Sequence, residues 1–89
     1  MMSKAIRIER NGGPEVMQYV DVEVGAPGPD EVQLRHTAIG LNYIDVYDRS
    51  GLYPMTLPGS LGREAAGVVV ATGRKVKGFR KGDRVAYVH

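Results

Sequence analysis

Apolar and polar positions alternate over residues 4–10, with Ile6 and Ile8 on one side and charged side chains on the other. A period of two marks a half-buried strand. Asn11-Gly12-Gly13-Pro14 interrupts it as a turn, because glycine supplies positive φ and proline fixes its own. Alternation resumes over residues 17–24, through Tyr19 or Val20 and then Val22 and Val24. It ends in Gly25-Ala26-Pro27-Gly28-Pro29-Asp30, where the prolines argue against any regular element. Residues 31–39 predict a third strand, Val32 and Leu34 inward, Gln33 and Arg35 outward, closed by Gly40.

The pattern then changes. Residues 42–49 predict one short helix: Asn42 suits the N-cap, Asp45 places a carboxylate in the first turn near the positive end of the dipole, and Ser50-Gly51 closes it. Residues 52–62 carry Pro54, Pro58, Gly59 and Gly62 and read as a long irregular loop. Residues 64–72 contain Val68-Val69-Val70, a β-branched run typical of a buried strand. A basic turn follows, and Gly82-Asp83 leads into a last strand over residues 84–88. There is no internal repeat and no interdomain linker. Several short strands, one helix and glycine-rich turns predict a mainly β fold, an open or incomplete β-barrel.

At 89 residues the chain is one domain at most, near the small end of domain sizes. Twelve Gly and 5 Pro against a single Phe and no Trp indicate many turns and a modest core. The absence of Cys excludes disulfides and any zinc site built on thiolates. No apolar run approaches the ~20 residues of a membrane span, and residues 1–10 carry charges where a signal peptide needs an apolar stretch. A soluble, cytoplasmic protein is the expectation. The net charge of +2 is local in origin, since Arg74, Lys75, Lys77, Arg80, Lys81 and Arg84 supply half of the 12 basic residues. A solvated turn explains this cluster. A nucleic-acid patch would want interleaved aromatics, and only Phe79 is there.

Chemistry concentrates in residues 40–54, where Asn42, Asp45, Asp48 and Arg49 stand with Tyr43, Tyr47 and Tyr53 beside a Pro/Gly loop. Two readings stay open: a functional loop aimed by a rigid element, or a capped surface helix whose tyrosines cover the end of the barrel. His36 and His89 stand alone in sequence, so no metal constellation is readable. Gly59-Ser60-Leu61-Gly62 lacks the spacing of a nucleophile elbow. No strand-Gly-x-Gly-x-x-Gly-helix unit offers a dinucleotide phosphate site.

Five segments, taken in order, carry a resemblance: Asn11-Gly12-Gly13-Pro14-Glu15-Val16, Ala38-Ile39-Gly40-Leu41-Asn42-Tyr43-Ile44-Asp45, Arg49-Ser50-Gly51-Leu52-Tyr53-Pro54, Gly62-Arg63-Glu64-Ala65-Ala66-Gly67-Val68-Val69 and Gly82-Asp83-Arg84-Val85. With them the chain resembles the zinc-independent quinone oxidoreductase (zeta-crystallin-like) branch of the medium-chain dehydrogenase/reductase superfamily. The fold this implies is the N-terminal part of a GroES-like catalytic domain. Zinc-dependent relatives hold their metal with a Cys where this chain has Asn42 and a His where it has Arg63. Neither side chain suits a catalytic zinc, so a zinc-free site is implied. Arg63 itself departs from the small or hydroxylated residue of close relatives, which leaves altered substrate choice or a solvent-facing cation as its two readings.

The resemblance further implies hydride transfer from NADPH to a quinone or an α,β-unsaturated carbonyl, in a cleft between the GroES-like domain and a Rossmann domain. Asn42, Tyr43, Ile44, Asp45 and Tyr47 would line the nicotinamide side. Asn42, Tyr47 and Tyr53 are the candidate catalytic groups, the tyrosines as donors to the substrate carbonyl oxygen, while Asp45 has the alternative of fixing the helix start. A homodimer without nucleic acid or membrane partner is implied for the complete enzyme. Relatives continue beyond the position of His89 into a Rossmann domain that the 89 residues do not contain, so no activity is expected of them alone. The competing reading is a stand-alone β-domain serving as a binding or interaction module, with strand edges open to pairing.

Overall fold

The computed structural model describes residues 1–89. The elements run β1 (Met2–Ile8), β2 (Gln18–Glu23), β3 (Val32–Ile39), α1 (Tyr43–Ser50), β4 (Gly59–Ser60), β5 (Glu64–Thr72) and β6 (Arg84–Val88), with a single 3-10 turn at Pro14–Val16. They form two compact units interleaved along the chain, one of residues 1–24 and 41–62, the other of residues 25–40 and 63–89.

In the first unit β1 lies between β2 and β4, antiparallel to both. The β1–β2 register sets Met2 opposite Glu23 and Arg7 opposite Gln18. The strand begins earlier than the predicted residue 4 because pairing continues to the start of the chain. The N-terminal ammonium reaches Glu23 Oε1 at 2.7 Å and the Val24 amide donates to the Met1 carbonyl at 2.7 Å. It also ends earlier, at Ile8, so Glu9 and Arg10 belong to the turn. Alternation resolves the choice left open in β2: Tyr19 is 69% exposed, while Val20 and Val22 are half-buried. Ile8 and Val16 are the buried apolar residues of this unit.

Two short elements escaped the sequence pattern. Pro14 starts the 3-10 turn, a position where its missing N–H costs nothing. Within the predicted irregular loop, Gly59 and Ser60 pair with Ile8 and Arg7 as β4. Two residues are too few to show periodicity, and only their partner strand makes them regular.

The second unit is a sheet of order β3-β5-β6, antiparallel throughout. β5 occupies its predicted span, but it is not buried on both sides. Its pattern alternates, with Ala65, Gly67 and Val69 buried and Val68 and Val70 half-buried, as in a sheet that hides one face. Val69 is fully buried. Gly67 is required by a close approach, because a Cβ there would run into the Arg35 carbonyl and the backbone of His36 on β3. The β3–β5 ladder shifts register between Gln33 and Leu34 and again between His36 and Ala38. At the second shift the Thr37 hydroxyl donates to the Ala66 carbonyl at 3.3 Å.

The basic segment folds as a turn tied down by its backbone. The Gly73 amide donates to the Glu31 carbonyl at 2.7 Å, that of Lys75 to Pro29 at 2.9 Å and that of Gly82 to Val69 at 2.8 Å. Arg74, Lys75, Lys77, Arg80 and Lys81 are exposed, which is the solvated-turn geometry.

Candidate active site

Helix α1 covers Tyr43–Ser50, with Asn42 in extended conformation at its N-cap (φ −129°, ψ 160°). The helix start is closed from both directions. The Asp45 amide donates to the Asn42 carbonyl at 3.0 Å, and the Asn42 amide donates to Asp45 Oδ2 at 3.0 Å. Asp45 is thus a carboxylate at the third helical position reaching back to the cap residue's N–H. It is only 5% exposed, and its Oδ1 is buried with no hydrogen-bond partner. Of the two roles open to Asp45, the geometry displays the one at the helix start. The Asn42 side chain is exposed, Tyr43 stands 80% exposed beside it, and Ile44 is half-buried.

The C-terminal end of α1 brings together the two tyrosines that the sequence separated. Gly51 adopts φ 91°, a left-handed conformation that L side chains rarely take, and turns the chain back. The Tyr47 carbonyl accepts from the Gly51 amide at 3.1 Å, the Tyr53 amide at 3.3 Å and the Ser50 hydroxyl at 3.3 Å. Tyr53 is thereby folded against Tyr47, ring centroids 5.5 Å apart and planes at 74°, an edge-to-face contact. Tyr47 is half-buried and Tyr53 46% exposed, so the aromatic pair is partly open to solvent.

A second group holds this turn from the side. Asn11 Nδ2 donates to the carbonyls of Asp48 at 3.1 Å and Arg49 at 3.3 Å. The Gly12 amide donates to the Arg49 carbonyl at 3.0 Å, and Arg49 Nε returns a bond to the Gly12 carbonyl at 3.1 Å. The sequence at Asn11-Gly12 predicts only a turn. Its partners lie 37 and 38 residues away, and no local pattern announces them.

The second unit has its own features. A hollow of about 480 Å³ is lined by Ile39, Gly40, Glu64, Ala65, Tyr87 and Val88, among others. His36, alone in sequence, is paired in space: its Nε2 lies 3.1 Å from the Tyr87 hydroxyl. Arg63 is half-buried, and its carbonyl accepts from the His89 amide at 2.6 Å. Nowhere do three or more His, Cys, Asp or Glu side chains gather as a metal ion would require. No helix is long and apolar enough to cross a membrane.

Residues 28–89 match the family of alcohol dehydrogenase GroES-like domains. The chain belongs to that family. The GroES-like match takes in every element from β3 to β6, with α1 and its candidate residues, and leaves β1, β2 and the Asn11 turn outside. Over 87 residues, 97% of the chain, the sequence is 55% identical to a quinone oxidoreductase of Pseudomonas aeruginosa and 48% identical to quinone oxidoreductase 1 of Escherichia coli. The chain spans 27% of the length of each of these relatives. Among solved structures, Escherichia coli quinone oxidoreductase complexed with NADPH superposes with a TM-score of 0.94 at 47% identity, covering 97% of this chain and 27% of that one. The mainly β, GroES-like architecture expected from the sequence is therefore the one found.

Proposed function

We propose that these residues form the N-terminal part of the catalytic domain of a zinc-independent, NADPH-dependent quinone oxidoreductase, and that helix α1 with the turn after it is one wall of its cleft. The observation that carries the reading is the Tyr47–Tyr53 pair, two phenol rings held edge to face at 5.5 Å by the Gly51 turn at the end of α1. Similarity to quinone oxidoreductases across 97% of the chain supports it. In the complete enzyme a Rossmann unit would hold the phosphates of the cofactor.

When bound, NADPH supplies the hydride. The exposed Asn42 carboxamide, with Tyr43, Ile44, Asp45 and Tyr47, would line the nicotinamide side of the cleft. Asp45 also fixes the start of the helix. The hydroxyls of Tyr47 and Tyr53 would donate to the carbonyl oxygen of a quinone or enone, where negative charge develops during its reduction. Much of the remaining acceleration is positioning. Asn42 and Arg63 lack the thiolate, imidazole or carboxylate that a catalytic zinc takes, which supports a zinc-free site. Resemblance extends the proposal to a cytoplasmic homodimer acting on small molecules without nucleic acid or membrane.

The test is a chimera in which these 89 residues replace the matching segment of the Escherichia coli enzyme. It is expected to oxidise NADPH with 1,4-benzoquinone, to do so after exhaustive chelation, and to lose roughly 10²-fold in kcat/KM in a Tyr47→Phe/Tyr53→Phe double variant. The 89-residue chain by itself is expected to show only the buffer rate. A folded chimera without turnover, or a double variant as active as its parent, refutes the assignment.

A further inference from the structure

The Asn11-Gly12 turn contributes no group to the cleft wall, yet it spends four hydrogen bonds on helix α1. Asn11 Nδ2 bridges the carbonyls of Asp48 and Arg49, the Gly12 amide doubles the contact to Arg49, and Arg49 Nε closes the ring onto the Gly12 carbonyl. These carbonyls lie in the last turn of α1, where a helix runs out of its own donors. The Asn11 side chain also lies directly over Gly51: a Cβ built there would sit 3.1 Å from Asn11 Cγ. Gly51 is the residue whose left-handed backbone returns the chain so that the amides of Gly51 and Tyr53 both reach the Tyr47 carbonyl. The path from Asn11 to the tyrosines is therefore short. It runs through two carbonyls and one glycine.

We propose that Asn11 is a positioning residue, which sets the spacing of the Tyr47 and Tyr53 hydroxyls by clamping the helix end and the Gly51 turn between them. The effect on substrate rests on the quinone oxidoreductase reading; the effect on geometry does not. The carboxamide suits the task because its NH₂ offers two donors to two neighbouring carbonyls. Aspartate has the same shape and no donor, so Asn11→Asp removes both bonds and sets negative charge against the carbonyl oxygens.

Two measurements test this, each on Asn11→Asp and on Asn11→Gln, which keeps the donors on a longer arm. The first is the proton–proton Overhauser contact between the Tyr47 and Tyr53 rings in the isotopically labelled 89-residue chain, with the methyl resonances of Ile8 and Val69 as the control for fold. The contact is expected to vanish in Asn11→Asp and to return at least in part in Asn11→Gln, the methyls staying in place. The second is steady-state kinetics in the chimera. Asn11→Asp is expected to lower kcat/KM for quinone by roughly tenfold to a hundredfold, as for other small misplacements of reacting groups, with a clearly smaller change in the KM for NADPH, since only Tyr47 of the nicotinamide-lining residues is displaced, and partial recovery in Asn11→Gln. An Asn11→Asp chain that keeps the ring contact overturns the proposal. So does a chimera in which quinone and NADPH parameters worsen by equal factors, because that is general loosening. Should the parent chimera fail to turn over, the functional reading falls and the ring contact alone decides the role of Asn11.

Discussion

Gly51→Ala isolates the two physical demands that meet at the end of α1. The backbone at Gly51 has φ 91°, and placing an L residue there costs roughly 1–2 kcal/mol. The new methyl would also lie 3.1 Å from Asn11 Cγ and 3.3 Å from both Asn11 Cβ and Oδ1, tighter than ordinary contact. Asn11 must then move by a few tenths of an ångström, and its bonds to the Asp48 and Arg49 carbonyls, already 3.1 and 3.3 Å, lengthen. Loosening two bonds of about 1 kcal/mol each brings the total for Gly51→Ala to about 2–3 kcal/mol. In an Asn11→Ala background the Cγ and Oδ1 contacts are gone and there are no side-chain bonds left to stretch. There Gly51→Ala should cost little beyond the backbone part, about 1–2 kcal/mol, with the contact to the Cβ of residue 11 the one left. The double variant is therefore expected to be more stable than the sum of the singles by about 1 kcal/mol, measured by urea titration of the four proteins followed by far-UV circular dichroism. Additivity to within about 0.5 kcal/mol would show that Asn11 and Gly51 do not press on one another, and the clamp would lose its steric half.

Three further outcomes follow from the packing. Val69→Ala removes two carbons from a fully buried side chain and should cost about 2–3 kcal/mol, whereas Tyr19→Ala, at 69% exposure, should cost less than about 1 kcal/mol in the same urea titrations; equal losses would contradict the assignment of the core. Asp45→Ala removes the acceptor of the Asn42 amide and should cost about 1 kcal/mol of helix capping, seen as roughly fivefold faster hydrogen exchange at Asn42, with an unchanged exchange rate counting against the cap. Asp21→Ala breaks the 2.6 Å ion pair with Lys4, but both side chains are about half exposed or more, so the loss should stay under about 1 kcal/mol and vanish in high salt.

The legible parts of this fold are those whose determinants are local. β5 and β6 were read at their observed bounds because each is a run of apolar and β-branched residues fenced by turns. Helix α1 was read from its ends, with Asn42 before it and Gly51 after. What stayed hidden depends on residues far apart in sequence. β4 exists only because β1 offers it a partner, and Ile8–Gly59 pairing has no local signature. His36 looked solitary until the sheet brought Tyr87 to it, 51 residues on. At the candidate site the composition drew attention to Asn42, Tyr47 and Tyr53. It did not reveal that Asp45 would be buried, nor that Tyr53 would fold back onto Tyr47, since a reversal at Gly51 is a matter of φ and not of hydrophobic pattern.

Helix α1 is too short to hold itself. A helix of eight residues falls well below the ~12–15 at which even favourable sequences become marginal in water. Apolar packing supports it only in part, because Ile44, Val46 and Tyr47 are half-buried and its two fully buried residues are Asp45 and Asp48. They stand three apart, on one side of the helix, where carboxylates interrupt the usual apolar stripe. Directed bonds therefore add to that packing at both ends: Asp45 to the Asn42 amide at one, and the Asn11-Gly12 turn on the last carbonyls at the other. Directed bonds differ from apolar contacts in how they fail. A hydrophobic face tolerates sliding by a fraction of an ångström, whereas a hydrogen bond weakens steeply with angle and distance. A cleft wall fastened in this way fixes the spacing of two phenol groups more sharply than greasy packing would. It also makes that spacing vulnerable to single substitutions at positions, such as Asn11, that contribute no group to the wall.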